Sequence, residues 1–375
     1  MSRVVTLNAG SSSLKFALFE GPPRRRLLEG EVERLGAEAR LLLGGEARDL
    51  GACDHAAATR LALAIAGEGG RLDAVGHRVV HGGPDRDRPT VIDGAVMAEI
   101  EALAPLAPLH QPQGLAAVRA ARAAHPEAAQ VACFDTGFHR TQPREAEMFT
   151  LPRRFFEAGV RRYGFHGLSY ESVARRLAER HPGLHAGRVA VAHLGNGASL
   201  CAMRGGRSVG SSMGFTALDG LVMGTRCGAL DPGVVLHLLR TEAMGADEVE
   251  ALLYRESGLK GLSGGLSDMR ALLASDAPEA AEAVAVFLHR LRREIGAAAA
   301  ALGGLDALVF TAGIGENAAP IRARAMEGLG FLGLAIDEAA NAAGAEVVSC
   351  GPTPILRIET DEEGVIADAA FAALG

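Results

Sequence analysis

Val4-Val5-Thr6-Leu7-Asn8-Ala9-Gly10-Ser11-Ser12-Ser13-Leu14-Lys15-Phe16 reads as an apolar strand, a tight turn of small and hydroxyl residues, and a second strand. It has a near-echo in the middle of the chain. Val189-Ala190-Val191-Ala192-His193-Leu194-Gly195-Asn196-Gly197-Ala198-Ser199-Leu200-Cys201 repeats the plan of strand, turn and strand. Small residues let backbone N–H groups approach an anion, and hydroxyls add donors. Two such hairpins, one per half, predict a duplicated fold that grips a polyphosphate from both sides.

The rest of the chain extends the duplication. Leu72-Asp73-Ala74-Val75 is echoed by Leu305-Asp306-Ala307-Leu308-Val309, a second and weaker sign of repetition. Residues 3–8 and 14–19 read as hairpin strands, 24–51 as a strand meander, and 54–66 as a helix. Residues 72–80 and 130–134 are strands around a helix at 114–124. In the second half, 169–180 is a helix and 189–204 is the second hairpin. Over 278–302, Val284, Phe287, Leu288, Leu291 and Ile295 fall on one helical face. A last strand at 354–358 precedes a short terminal helix at 365–374, whose docking side the sequence does not give. Hairpins first and crossovers later imply an α/β sheet of mixed direction. The first domain boundary is expected just after Asp135-Thr136-Gly137.

Composition agrees with two globular domains. The chain has 375 residues, 48% of them hydrophobic, and a formal net charge of −7. That charge argues against a nucleic-acid binder. Five scattered cysteines without a C-x-x-C pair fit reduced thiols. There is no signal-peptide pattern and no apolar run able to span a bilayer. A soluble, cytoplasmic protein is expected, with neither membrane nor nucleic-acid partners. Only two lysines occur, Lys15 and Lys260, and one of them sits in the first turn.

Four blocks look built for anionic ligands: 8–15, His77-Arg78-Val79-Val80-His81-Gly82-Gly83, Met223-Gly224-Thr225-Arg226-Cys227-Gly228, and Phe310-Thr311-Ala312-Gly313-Ile314-Gly315-Glu316-Asn317. None is a P-loop, and the last lacks the third glycine of a dinucleotide fingerprint. His77 and His81 are four apart, but on a strand that spacing does not bring both to one metal. Singly, each block has a plain reading. Gly-Ser turns are common, Asp135 fits a helix cap, Glu362 fits surface charge and Phe165 fits a core.

Together the blocks are specific. The ordered stretches 8–15, 76–83, 134–139, 162–167, 193–199, 213–216, 223–226 and 310–317 resemble the acetate kinase family, which includes acetate and propionate kinases, over essentially the whole chain. The resemblance implies two ribonuclease-H-like domains of the sugar kinase, Hsp70 and actin type, with nucleotide in the cleft between them. The expected domains are 1–136 plus 363–375, and 137–362. It also implies a terminal helix that returns to the first domain, and a homodimer; closure is expected as well, because water must be kept from the phosphoryl group.

The implied reaction is Mg2+-dependent phosphoryl transfer from ATP to acetate, giving acetyl phosphate and ADP, with Mn2+ able to replace Mg2+. A carboxylate is ionised at neutral pH and needs no general base. It needs relief from repulsion, so positioning and charge stabilisation should dominate. Carried over by motif, Arg78 and Arg226 are the guanidinium clamps, and His166 donates to the transferring phosphoryl group. Asp135 either orients His166 and Arg226 or lies near the metal. Asn8 and Glu362 attend the metal. Ser11, Ser13 and Lys15 form one phosphate hairpin, and His193, Asn196 and Gly197 the other. Asp268, Arg270, Gly313, Ile314 and Asn317 are expected to hold adenosine. Val80, Leu109, Phe165 and Ala217 are expected to line the acyl pocket.

The chain departs from the family pattern in places. Ala217 stands where the family usually has Pro, Gln111 where it has Asn, Leu168 and Tyr170 where it has Thr and His, and Gly210 where it has Asp. Cys227 and Ala229 replace Ser and Asp. Ala217 leaves room beside the acyl methyl, so propionate is expected to be used more nearly as well as acetate. Cys227 adjoins Arg226, a setting that can lower a thiol pKa, although burial would leave it inert. Two rival functions stand beside the main one: a kinase for propionate, butyrate or another short acid, and an actin- or Hsp70-like ATPase. Arg78 and Arg226 discriminate against the second, because a plain ATPase has no carboxylate to clamp.

Overall fold

The structure is a computed structural model that describes residues 1–108 and 110–375. It divides into two compact units, Met1–Arg140 with Asp361–Gly375, and Thr141–Thr360. Among the described residues no helix is long and apolar enough to cross a membrane.

In the first unit the strands are β1 (Ser2–Ala9), β2 (Leu14–Gly21), β3 (Arg25–Glu33), β4 (Gly36–Leu43), β5 (Glu46–Cys53), β6 (Ala74–Val79), β7 (Thr90–Val91) and β8 (Ala129–Phe134). They form one sheet in the order β5-β4-β3-β2-β1-β6-β8-β7. The meander expected over 24–51 is therefore β3 to β5. β1 runs antiparallel to β2 and parallel to β6, and β6 runs parallel to β8.

The second unit contains β9 (Arg188–Leu194), β10 (Ala198–Arg204), β11 (Arg207–Ser211), β12 (Ala307–Thr311) and β13 (Ile355–Arg357). Their order is β11-β10-β9-β12-β13. β9 is antiparallel to β10 and parallel to β12, which is parallel to β13. The five central strands of the first sheet, β3-β2-β1-β6-β8, have the same order and directions. The duplication is thus one of topology: three antiparallel strands, then two parallel ones reached by helical crossovers.

The two hairpins differ by one residue. In the first, Ala9 pairs with Leu14 and Asn8 with Lys15. In the second, Leu194 pairs with Ala198 and His193 with Ser199. A gapless match of the two sequences sets Lys15 against Leu200, but the shorter second turn brings Ser199 opposite His193. Side chains alternate along a strand, so this single residue decides which one faces the ligand side.

Helices cover the sheets. The helix His55–Gly67 starts at Asp54, whose Oδ1 accepts from the N–H of Ala57 at 2.7 Å. Its Ala58, Ala62 and Leu63 pack on Val5, Leu7, Leu14 and Phe16. The C-terminal helix Glu362–Ala372 contacts β1 and β6. Its Ala367 joins Ala17 and Phe19, which alternation places on the other face of the sheet. A Cβ on Gly76 would lie 2.5 Å from Ile366 Cγ2, so glycine permits this approach. In the second unit the helix Pro278–Leu302 opens with proline in its first turn and ends at Gly303, whose φ is +70°. Its buried face carries Val284, Phe287, Leu288, Leu291 and Ile295, the stripe read from the sequence. Burying side chains of this size contributes about 1.5–3 kcal/mol each.

Candidate active site

Three adjacent strands of the first unit, β1, β6 and β8, are mutually parallel. Their carboxyl ends therefore lie side by side, where open α/β sheets hold ligands. Asn8 ends β1, Arg78 stands near the end of β6, and Asp135 follows β8. Arg78 donates from Nε and Nη2 to Oδ2 of Asp135 at 2.9 and 2.6 Å, and from Nη1 to Oδ1 of Asn8 at 3.3 Å. Asn8 Nδ2 donates in turn to Glu362 Oε2 at 2.9 Å and Glu363 Oε1 at 3.2 Å. Both glutamates sit in the first turn of the terminal helix, where the helix dipole favours negative charge. One chain of bonds thus joins four predicted site residues that are far apart in sequence.

Burial opposes the charge of Arg78, and Asp135 with Glu362 more than compensates, so its pKa is raised. Loss of hydration pushes the Glu362 carboxyl up to about 7; Arg78 pulls it down, while Asp135 and Glu363 push it up. Asp135 is 1% exposed, and its Oδ1 is buried with no hydrogen-bond partner. That bare carboxylate oxygen, with the side-chain oxygens of Asn8 and Glu362, is a donor set for a hard cation such as Mg2+. Among the described residues no group of three or more His, Cys, Asp and Glu gathers to hold a metal. A two-carboxylate set suits a cation that keeps waters and substrate phosphates as its other ligands.

Ser11 is exposed, Ser13 half-buried and Lys15 exposed on the first hairpin. The turn closes through the N–H of Gly10 to the carbonyl of Ser13 at 2.8 Å. Val80 is buried after β6. Leu109 lies outside the described residues.

In the second unit His193 ends β9, opposite Ser199 on β10 and Thr311 on β12. His166 caps the helix Gly167–Arg180 with φ +60°, a left-handed conformation that costs a non-glycine residue free energy. Its ring stacks on His193, with centroids 4.1 Å apart and planes 16° from parallel. His166 Nδ1 bonds Ser199 Oγ at 2.8 Å, and His193 Nδ1 bonds Ser169 Oγ at 2.8 Å. Arg226 Nη1 donates to the carbonyl of Ala217 at 2.6 Å. A Cβ on Gly197 would lie 2.6 Å from Arg226 Nη2 and 3.1 Å from His166 Nε2. Glycine lets both nitrogens crowd the same point, and any side chain there would displace them. Asn196 accepts the N–H of Gly224 on its carbonyl at 3.0 Å, which ties the hairpin turn to the loop before Arg226.

Gly313, Ile314 and Asn317 lie on the short helix Ala312–Asn317 after β12. Asn317 Nδ2 donates to the carbonyl of Gly313 at 2.9 Å. Asp268 caps the helix Met269–Leu273 and pairs with exposed Arg270. Among the described residues no hydrogen bond links these two groups. Phe165 is buried and Ala217 half-buried.

Sequence reading passed over Ser169, Tyr170 and Ser199 as site residues. Ser199 carried a signal, since it closes the second hairpin block. Tyr170 stood out only as a departure from the family. Of the two readings of Cys227, a lowered thiol pKa or burial, the structure favours burial. Cys227 is half-buried, its Sγ donates to the carbonyl of Gly228 at 3.2 Å, and burial raises its pKa.

Known proteins match the chain along their full length. The profile of the acetokinase family matches residues 3–368. An acetate kinase of Methylocella silvestris is 52% identical, over 100% of this chain and 98% of its own. One of Nitrobacter hamburgensis is 47% identical, over 100% of this chain and 96% of its own. Among solved structures, Porphyromonas gingivalis acetate kinase superposes with a TM-score of 0.89 at 36% identity, covering 100% of both chains. A propionate kinase of Francisella tularensis gives 0.92 at 34% identity, covering 98% of this chain and 99% of its own. The mixed α/β units with their repeated five-strand sheets are those of duplicated actin- and Hsp70-type domains. With motif order, repeated topology and full-length identity in agreement, the chain belongs to the acetokinase family.

Proposed function

We propose that the chain is an ATP:acetate phosphotransferase, catalysing reversible, Mg2+-dependent transfer of a phosphoryl group from ATP to acetate, with propionate as a second acceptor. The observation that carries this reading is a guanidinium fork in each unit, held by its own neighbours: Arg78 by Asp135 and Asn8, Arg226 by the Ala217 carbonyl. A planar fork suits a carboxylate or the equatorial oxygens of a phosphoryl group. An ATPase without an acid acceptor has no use for the first.

Acetate attacks as the carboxylate, so no residue has to take a proton. Arg78 orients that carboxylate and offsets its repulsion from the phosphates. Arg226 and His166 act on the phosphoryl group in transit, where negative charge spreads over its oxygens. Their crowding around Gly197 supports a shared target. Asn8 and Glu362, with Asp135 Oδ1, hold the Mg2+, which neutralises phosphate charge when bound. Ser11, Ser13 and Lys15 hold phosphates, as do His193, Asn196 and Gly197. Gly313, Ile314, Asn317, Asp268 and Arg270 hold adenosine. Val80, Phe165 and Ala217 contact the acyl group. The protein works as a cytoplasmic homodimer.

Hydroxylamine trapping tests the reading. ATP, Mg2+ and the protein should give acyl hydroxamate with acetate, less with propionate, and least with butyrate. ATP hydrolysis that ignores the acid would favour the ATPase reading. Light scattering on the eluted protein tests the dimer.

A further inference from the structure

The second unit contains a three-residue chain of side-chain hydrogen bonds behind His166. His166 Nδ1 is 2.8 Å from Ser199 Oγ, and the Tyr170 hydroxyl is 2.5 Å from the same oxygen. Tyr170 lies one helical turn beyond His166, and its N–H donates to the His166 carbonyl at 3.1 Å. Ser199 is fixed independently by its place in β10 opposite His193. Both Ser199 and Tyr170 are wholly buried. Burial also pushes the Tyr170 pKa well above its ordinary value, so the hydroxyl keeps its proton.

The direction of this chain follows from a count of protons. A serine hydroxyl has one hydrogen to donate. A neutral imidazole has one N–H, and the bond made by one ring nitrogen fixes the state of the other. His166 can donate from Nε2 as a neutral ring only if Nδ1 is an acceptor. Ser199 must then spend its hydrogen on Nδ1, and the bond between Ser199 and Tyr170 must be donated by tyrosine. The surroundings favour the neutral ring. The His193 imidazole lies face to face with it, and the Arg226 guanidinium crowds the same glycine as Nε2. A positive charge on the ring would be repelled by that guanidinium.

We propose that Tyr170 is a positioning residue for phosphoryl transfer, acting through Ser199 to hold His166 as the neutral tautomer with its proton on Nε2. The proposal rests on the reading that His166 donates to the transferring phosphoryl group. Tyr170 touches neither substrate nor metal. It fixes which nitrogen of another side chain carries the proton, with Ser199 held on a strand, Tyr170 in the first turn of a helix, and His166 at the cap of that helix.

The test is the tautomer itself. The full chain is labelled with 15N-histidine, and long-range 1H–15N spectra are recorded at mildly alkaline pH. The His166 signals are identified by their loss in His166→Gln. The unmodified protein should show a bare Nδ1 and a protonated Nε2. Tyr170→Phe keeps the ring volume and should give a mixture of tautomers. It should also lower kcat about 5–10-fold, the rate equivalent of one neutral hydrogen bond, with KM for acetate and ATP unchanged. Ser199→Ala should give the same mixture by a smaller change in volume. A proton on Nδ1 in the unmodified protein overturns the proposal even if neither variant folds. A wild-type tautomer and wild-type kcat in Tyr170→Phe would do so as well. Absence of acyl phosphate with every acid would instead remove the kinase reading, and the spectra would still report the tautomer.

Discussion

Arg78 grips Asp135 by one oxygen only. Its Nε and Nη2 both donate to Oδ2, while Oδ1 is buried and accepts no hydrogen bond. A buried carboxylate oxygen without a partner costs free energy unless a ligand completes it. Asp135→Asn keeps the shape but can turn a donor N–H toward that position. It is expected to raise the Mg2+ concentration for half-maximal activity and to lower kcat at least about 100-fold. Titration of activity with Mg2+ measures both, and an unchanged Mg2+ requirement would separate Asp135 from the metal.

Gly197 offers a second handle on the same chemistry. A methyl group there meets Arg226 Nη2 and His166 Nε2, the far ends of two side chains. The fold should tolerate Gly197→Ala, because both ends can move. Activity should not, because they move away from their working positions. The expected loss in kcat is about 100-fold, comparable with Arg226→Ala, with a Tm close to that of the unmodified protein. Thermal melts alongside kinetics distinguish this from unfolding.

Ala217 holds Arg226 through its backbone carbonyl, a contact in which its side chain takes no part. Replacing it by proline keeps that acceptor while adding bulk. Ala217→Pro is expected to lower kcat/KM for propionate relative to acetate by about 10-fold, the scale of one methylene in an apolar pocket. Kinetics on both acids decide this; equal ratios would remove Ala217 from the acyl pocket.

Cys227 should be a slow thiol. Burial raises its pKa, whereas Cys350 is exposed. A limiting alkylating agent should label Cys350 first and leave activity intact. Peptide mapping after partial alkylation reads the order, and rapid loss of activity through Cys227 would contradict it.

His77 is buried beside Gln130, with Nε2 2.8 Å from its side-chain oxygen. Burial lowers its pKa to about 4, against 6.5 for an ordinary histidine. Between those values the unfolded chain binds the proton and the folded one does not, so stability rises with pH across that window. Stability is fully present above 6.5 and is lost as pH falls through 4, by up to about 3 kcal/mol from this group. Urea unfolding at several pH values should show the slope, and His77→Gln should flatten it.

Much of the fold was legible because its signals are local. The stripe Val284, Phe287, Leu288, Leu291 and Ile295 could only be one face of a helix, and the strand–turn–strand echo showed the duplication. The family motifs carried Arg78, Arg226 and His166. Hydrogen-bond partners were not legible, since they are set by register and by docking between distant segments. Ser199 rather than Leu200 faces the ligand side because one turn is a residue shorter.

The sequence by itself determined the elements, the repeat and the chemical types present, because periodicity, turn residues and small-residue blocks act over a few positions. Only the tertiary structure decided what those groups do to one another. Parallel pairing of β1, β6 and β8 put Asn8, Arg78 and Asp135 at one end of a sheet, and the return of the terminal helix brought Glu362 to Asn8. The same kind of docking buried Cys227 and decided between the two readings of its thiol. A pKa depends on what surrounds a group in three dimensions, and no neighbour in sequence fixes that.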